Sequence, residues 1–304
     1  MKRMTSVLAL TTAAILGLSA CGGGSDPLSS DSPSASGSAG GGAVVIGSAD
    51  FPESELLAEI YAGALKAKGI DATTKPRIGS REIYLKALED GSIQAIPEYT
   101  GALGFFYDPK FAETDPDKVY TAVEGLIPDK FALLEKSAAE DNDSIVVTKA
   151  TADAKSLKTV EDLKAVAGEL SLGAPPEFQT RPQGVPGLAK TYGVTFKSFR
   201  ALTGQGLVQA LKNGQVDAAN IYTTDPSIAE NGFVSLEDPK KLFGSQNIVP
   251  LVAKDRSAEL APTLNAVSKA LTTEVISGLL KQTVTDKKDA KDVAAEFLKS
   301  NNLG

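Results

Sequence analysis

Residues 87–100, ALEDGSIQAIPEYT, can be laid without a gap over residues 210–223, ALKNGQVDAANIYT, and six of the fourteen positions are identical. Chance gives about one identity in such a window. Ala87, Leu88, Gly91, Ala95, Tyr99 and Thr100 match Ala210, Leu211, Gly214, Ala218, Tyr222 and Thr223, and Ile93 stands opposite Val216. Each copy reads as the end of a helix, a glycine that stops it, and a strand. A chain that repeats this unit points to two α/β halves. Each strand runs out into a Tyr–Thr pair, and ligands of open α/β sheets bind in the crevice beyond the carboxyl ends of the strands. Tyr99, Thr100, Tyr222 and Thr223 are therefore the first candidate site residues, one pair on each side of a two-lobed clamp. The alternative is that helix, glycine and strand are common grammar, and the tyrosines merely end strands at the surface.

The rest of the body follows the same grammar. Val44-Val45-Ile46-Gly47 is a short β-branched run that reads as a buried strand. Asp50-Phe51-Pro52-Glu53 follows it with a proline where a helix begins, and Leu56, Ile60 and Ala64 mark that helix's inward face. Ser80 precedes a second helix with Ile83, Ala87 and Leu88 expected inward, then Gly91 and the strand Ile93–Ile96. Alternation of strand and helix argues for a parallel sheet. A second α/β unit opens with the strand Ser144–Val147, a helix near Val160–Ala167 and a strand around Leu170–Gly173, and runs through Phe199 and Ile221 to Phe233. Ile248–Val252 reads as a strand leading away from that unit. The remainder reads as helical, with Leu264, Val267, Leu271, Val275, Leu279 and Leu280 at helical spacing, and the charges from Asp286 to Lys291 read as a solvated helix start.

The first 43 residues have another character. Lys2 and Arg3, an apolar run from Val7 to Leu18 and small residues before the lone cysteine, Cys21, read as a secretory signal over 1–20, too short for a spanning helix. No second cysteine exists to make Cys21 half of a disulfide. Leu18-Ser19-Ala20-Cys21 resembles a bacterial lipobox, which implies cleavage before Cys21 and lipidation of its sulfur. The mature protein is then expected outside the cytoplasm, anchored to the outer face of the cell membrane. Residues 22–43 are almost wholly Gly, Ser, Ala, Asp and Pro, a composition that cannot bury enough apolar area to offset its ordering entropy. They read as a flexible tether.

Composition closes several doors. The chain has 304 residues, a formal net charge of −7, and 42% hydrophobic residues. An acidic surface repels phosphate backbones, so the composition argues against nucleic-acid binding, which needs a basic footprint. Histidine is absent altogether, which removes Ser-His-Asp and Cys-His catalysis and the usual zinc and non-haem iron ligands. No catalytic residue, metal ligand or cofactor is assigned. The nearest enzymatic lure is Gly204-Gln205-Gly206-Leu207, whose third fingerprint glycine is replaced by Gln209. A turn presenting a helix N-terminus to the cleft explains those glycines as well.

Several short motifs then resemble one family across residues 44–300. They are Gly47-Ser48-Ala49-Asp50-Phe51-Pro52-Glu53, Pro97-Glu98-Tyr99-Thr100-Gly101, Thr180-Arg181-Pro182 with Gly184 and Pro186-Gly187-Leu188, and Thr223-Thr224-Asp225-Pro226. Together and in order they are similar to the osmoprotectant-type (glycine betaine or choline) substrate-binding proteins of ABC transporters, most closely to versions from high-GC Gram-positive bacteria. The resemblance implies an α/β, two-lobed periplasmic-binding-protein-like fold of type II, each lobe a mixed, mainly parallel sheet flanked by helices. Lobe 1 is expected over 44–147 plus 250–304, and lobe 2 over 148–249. It implies a monomer that closes by a hinge on a small ligand and delivers it to the permease and ATPase subunits of an importer.

By the same resemblance Tyr99 and Tyr222 are cage walls for a quaternary ammonium, with Asp50 and Phe51 facing the ligand, and Arg181 is a fork for a ligand carboxylate. A surface salt bridge is the plain alternative for Arg181. The chain departs from the family at Ala49, Ser54 and Ala102, where relatives often carry polar side chains, and two further cage positions fall near Asp143 and Gln246. An acid at Asp143 suits a ligand with positive charge and no carboxylate, such as choline, or a larger molecule filling the space. A surface solute receptor, or an importer component for a different polar or aromatic solute, is the rival reading.

Overall fold

The computed structural model describes residues 42–304; the leader 1–20, Cys21 and nearly all of the tether 21–43 lie outside the described residues. Ten strands follow in order: β1 (Val44–Gly47), β2 (Ala72–Lys75), β3 (Ala95–Tyr99), β4 (Phe131–Leu133), β5 (Ile145–Thr148), β6 (Ser171–Ala174), β7 (Ser198–Ala201), β8 (Ala218–Asn220), β9 (Phe233–Ser235) and β10 (Ile248–Ala253). They form two five-stranded sheets, ordered β2-β1-β3-β10-β4 and β7-β6-β8-β5-β9. The two orders are the same topology. In each, one strand is flanked by its two successors in parallel, β1 by β2 and β3 and β6 by β7 and β8, and one strand runs antiparallel to both of its neighbours, β10 in the first sheet and β5 in the second. The repeat detected in the sequence lands on β3 and β8, which hold the same central place.

Helices cover both faces of each sheet, as buried parallel strands require. One face of the first sheet meets the helix Pro52–Ala67 and the C-terminal helices, with Leu56, Ile60, Leu264, Val267 and Phe297 in one core. Proline at the start, Glu53 and Glu55 in the first turn and Lys66 in the last suit the polarity of the helix Pro52–Ala67. It packs so closely on Ala290–Ser300 that a Cβ at Gly63 would lie 2.7 Å from Leu298 Cδ1. The other face holds Tyr84, Leu88, Ile93, Leu103 and Val249. The second sheet is covered likewise, by clusters around Leu163, Leu172 and Leu188 and around Leu207, Leu211 and Val216.

Two expectations need correction. Ile83 points outward, 53% exposed, because the helix Arg81–Glu89 turns Arg81, Tyr84, Leu85 and Leu88 inward at helical spacing. Residues 145–147 pair with β8 and β9, so they belong to the second sheet rather than to the first. The reason is the antiparallel strand: each sheet takes its fourth strand from the segment that has just crossed over from the other.

Those crossings are held alike. Thr100 follows β3, and its N–H donates to Asn247 O (3.1 Å) while its hydroxyl accepts from Asn247 N–H (3.1 Å), just before β10. Thr223 follows β8, and its N–H donates to Asn142 O (3.0 Å) while its hydroxyl accepts from Asn142 N–H (2.9 Å), just before β5.

Candidate functional site

Between the sheets lies a cavity of about 330 Å³, at the low end of the range for small-molecule sites. Phe51, Tyr99 and Tyr222 meet in it, Phe51 being 5.9 Å from Tyr99 and 5.3 Å from Tyr222 between ring centroids. Phe51 is held by the turn that follows β1, Tyr99 ends β3, and Tyr222 follows β8. The repeat thus delivers an aromatic ring from each lobe to one place.

Of the nine residues expected at the site, Asp50, Phe51, Tyr99, Asp143, Arg181, Tyr222 and Gln246 line the cavity. Thr100 and Thr223 do not. Thr100 is fully buried and Thr223 faces a different surface recess, because their hydroxyls serve the crossing segments. Gln246 reaches the wall, but its amide carbonyl accepts from Ala102 N–H (2.8 Å) and its amide N–H donates to Phe243 O (2.7 Å). Gly101 lets the segment come this near: a Cβ there would lie 2.6 Å from Ser245 O. At the departures from the family pattern, Ser54 accepts from Ala49 N–H (2.9 Å), and Ala49 and Ala102 leave apolar wall.

The charged groups divide sharply. Arg81 donates two hydrogen bonds to Glu98, 2.9 Å to Oε1 and 2.8 Å to Oε2, in a buried fork that Tyr84 completes with a 2.8 Å bond to Oε1. Arg181 makes only long contacts, 3.4 Å to Glu82 of the opposite lobe and 3.9 Å to Glu177. Asp143 accepts from Asn220 Nδ2 (3.0 Å), and burial raises its carboxyl above the usual range against the pull of Arg181 and Arg81.

The floor holds two further acids that reading the sequence missed. Glu53 is buried at the start of its helix; Tyr99 OH lies 2.7 Å from Oε1 and Thr224 Oγ1 2.6 Å from Oε2. Asp141, also buried, has Thr224 Oγ1 at 2.8 Å and accepts from Thr224 N–H at 3.1 Å. Burial pushes the Glu53 carboxyl up to about 7, and burial with the Glu53 charge beside it drives Asp141 well up too. Glu53, Glu98 and Thr224 sat inside the quoted motifs. Only the fold could show that Glu53 and Thr224 meet from opposite lobes, and nothing marked Asp141. Chemically, the cavity offers aromatic faces and acid to a small cation, and a weakly engaged arginine to an anion.

Comparison with known proteins gives the family. Residues 42–300 match the family model described as the substrate binding domain of the ABC-type glycine betaine transport system. A glycine-betaine-binding protein of Pseudomonas aeruginosa is 27% identical over 273 residues, covering 85% of this chain and 88% of the relative. A carnitine transport binding protein of Listeria monocytogenes is 26% identical over 265 residues, 84% of this chain and 86% of the relative. In fold, the crystal structure of a glycine betaine/carnitine/choline ABC transporter protein superposes with a TM-score of 0.68 at 24% identity, over 86% of this chain and 99% of the other.

Proposed function

The chain belongs to the family of substrate-binding domains of ABC-type glycine betaine transport systems, and from that premise we propose that it captures a small quaternary ammonium solute of the glycine betaine, carnitine and choline class between its lobes. Such a protein binds its solute and passes it on unchanged; it is not an enzyme. The observation that carries the reading is the meeting of Phe51, Tyr99 and Tyr222 from both lobes beside buried carboxylates, which suits a cation without N–H groups. Each favourable cation–π contact contributes about 0.5–2 kcal/mol. Arg81 is fully engaged by Glu98, so Arg181 is the arginine that a ligand carboxylate reaches, trading its long contact with Glu82 for a closer one.

Delivery runs to the permease and ATPase of an importer, with Cys21 lipidated outside the cell and residues 22–43 as the tether. The lobes divide near residues 142–144 and 245–247, where the two crossing segments form the hinge. Isothermal titration of the purified protein with glycine betaine, proline betaine, carnitine and choline tests the reading. Micromolar binding of at least one is expected, and no heat from any of the four refutes it.

A further inference from the structure

Thr224 Oγ1 stands 2.6 Å from Glu53 Oε2 and 2.8 Å from Asp141 Oδ1. A hydroxyl carries one hydrogen, and an ionised carboxylate only accepts. Thr224 can therefore donate to one of these oxygens only, and its contact with the other is favourable only when that acid keeps its own proton. Three donors nearby are already engaged, since Tyr99 OH lies 2.7 Å from Glu53 Oε1, Thr224 N–H donates to Asp141 Oδ1, and Thr223 Oγ1 reaches the same oxygen at a long 3.5 Å. Among the described residues neither acid pairs with a lysine or arginine; the arginines of the cavity hold Glu98 and Glu82 instead. The other charges facing the pair are also acids, Asp225 toward Glu53 and Asp143 toward Asp141, with the phenols of Tyr61, Tyr99 and Tyr222 around them. Both carboxyls line the cavity beside the three aromatic rings.

We propose that one proton shared by Glu53 and Asp141 stands in for the ligand's positive charge, and that capture of a cationic solute releases it. This rests on the reading of the cavity as a quaternary ammonium site. The exchange balances simply: cation plus protonated pair gives cation-bound, fully ionised pair plus a proton to solvent. The upward displacement of Glu53 to about 7 by burial sets the range in which it is visible. The chain has no histidine, so no imidazole titrates there.

The test uses choline chloride, which has no group titrating in this range. Calorimetric binding enthalpies are compared in phosphate and in Tris at matched pH and ionic strength, and their difference counts protons released. The wild type is expected to release close to one proton per choline near pH 6 and almost none near pH 8.5, with affinity rising up to about tenfold per pH unit below the midpoint. Glu53→Gln and Asp141→Asn, each close in shape, are expected to release none, to bind choline about tenfold more weakly at pH 8, and to lose the pH slope. Binding with equal enthalpy in both buffers from pH 6 to 8.5 overturns the proposal. If choline, glycine betaine and carnitine all fail to bind, the quaternary ammonium reading falls, and infrared titration of the unliganded protein decides the proton alone. A protonated carboxyl band that vanishes near pH 7 in the wild type and is missing in Glu53→Gln supports it; no such band at pH 6 overturns it.

Discussion

Tyr99 and Tyr222 hold matching places in the two copies of the repeat, yet their surroundings part them. Tyr99 is 7% exposed, packed in the first core, and hydrogen-bonded to Glu53; Tyr222 is only partly buried and lies open to the cavity. Tyr222→Ala is accordingly expected to weaken ligand binding about tenfold in a calorimetric titration with little change in melting temperature. Tyr99→Ala removes a core ring as well and is expected to cost about 3 kcal/mol or more of stability in urea denaturation. A Tyr222→Ala protein that binds as the wild type does removes that ring from the cage. The buried fork is the more brittle neighbour: Arg81→Ala strands Glu98 without its partner, an expected loss of about 3–5 kcal/mol in the same denaturation assay. At this scale the sequence pointed to seven cavity residues, five because aromatic and charged side chains in or beside short motifs stand out, and Asp143 and Gln246 through the family resemblance alone. It missed Glu53, Asp141 and Thr224 as partners, since their significance lies in a contact across 171 positions of chain.

The repeat made the elements legible for a physical reason: helix stop, glycine and buried strand leave a local pattern that survives without knowing any neighbour. Gly91 and Gly214 both take positive φ, 78° and 66°, where a side chain is strained. The helix face carrying Ile83 was misjudged because an arginine, Arg81, takes an inward place that hydrophobic periodicity assigns to an apolar residue. The repeated threonines mislead in the same way, for the N–H groups that their hydroxyls accept from belong to the backbone of the crossing segments, which no side-chain pattern records. Thr100→Val leaves the buried Asn247 N–H without its acceptor and is expected to cost about 1–3 kcal/mol. Thr223→Val acts at an exposed site, where water replaces the hydroxyl, and is expected to cost about 1 kcal/mol or less. Equal losses in chemical denaturation would mean that the two crossings are not held to different degrees.

For the whole molecule, two sets of acids pull stability in opposite directions with pH. Asp162, accepting backbone N–H bonds from Thr159 and Lys158, and Asp90, accepting from Ser92, are held below the usual carboxylate range, so their contribution is present at neutral pH and lost on acidification. Glu53 behaves the other way. Its folded carboxyl titrates near 7 and its unfolded one near 4, so between those values the folded state binds the extra proton. The stability it contributes is complete below about pH 4 and declines as pH rises through about 7, by on the order of 1 kcal/mol per pH unit in between. Asp141, its carboxyl also raised, shares that proton, so the slope belongs to the pair rather than to Glu53 alone. The unliganded protein is therefore expected to melt highest in mildly acidic solution and progressively lower toward pH 8 in scanning calorimetry. Glu53→Gln, which carries no charge to bury, is expected to flatten that alkaline decline. A cation in the cavity supplies the charge that the departing proton removes, so saturating choline is expected to stabilise the wild type more at pH 8 than at pH 5.5, at equal ligand concentration. An alkaline decline that is unchanged in Glu53→Gln would place its source outside the cleft, and with it the coupling between the floor of the site and the stability of the fold.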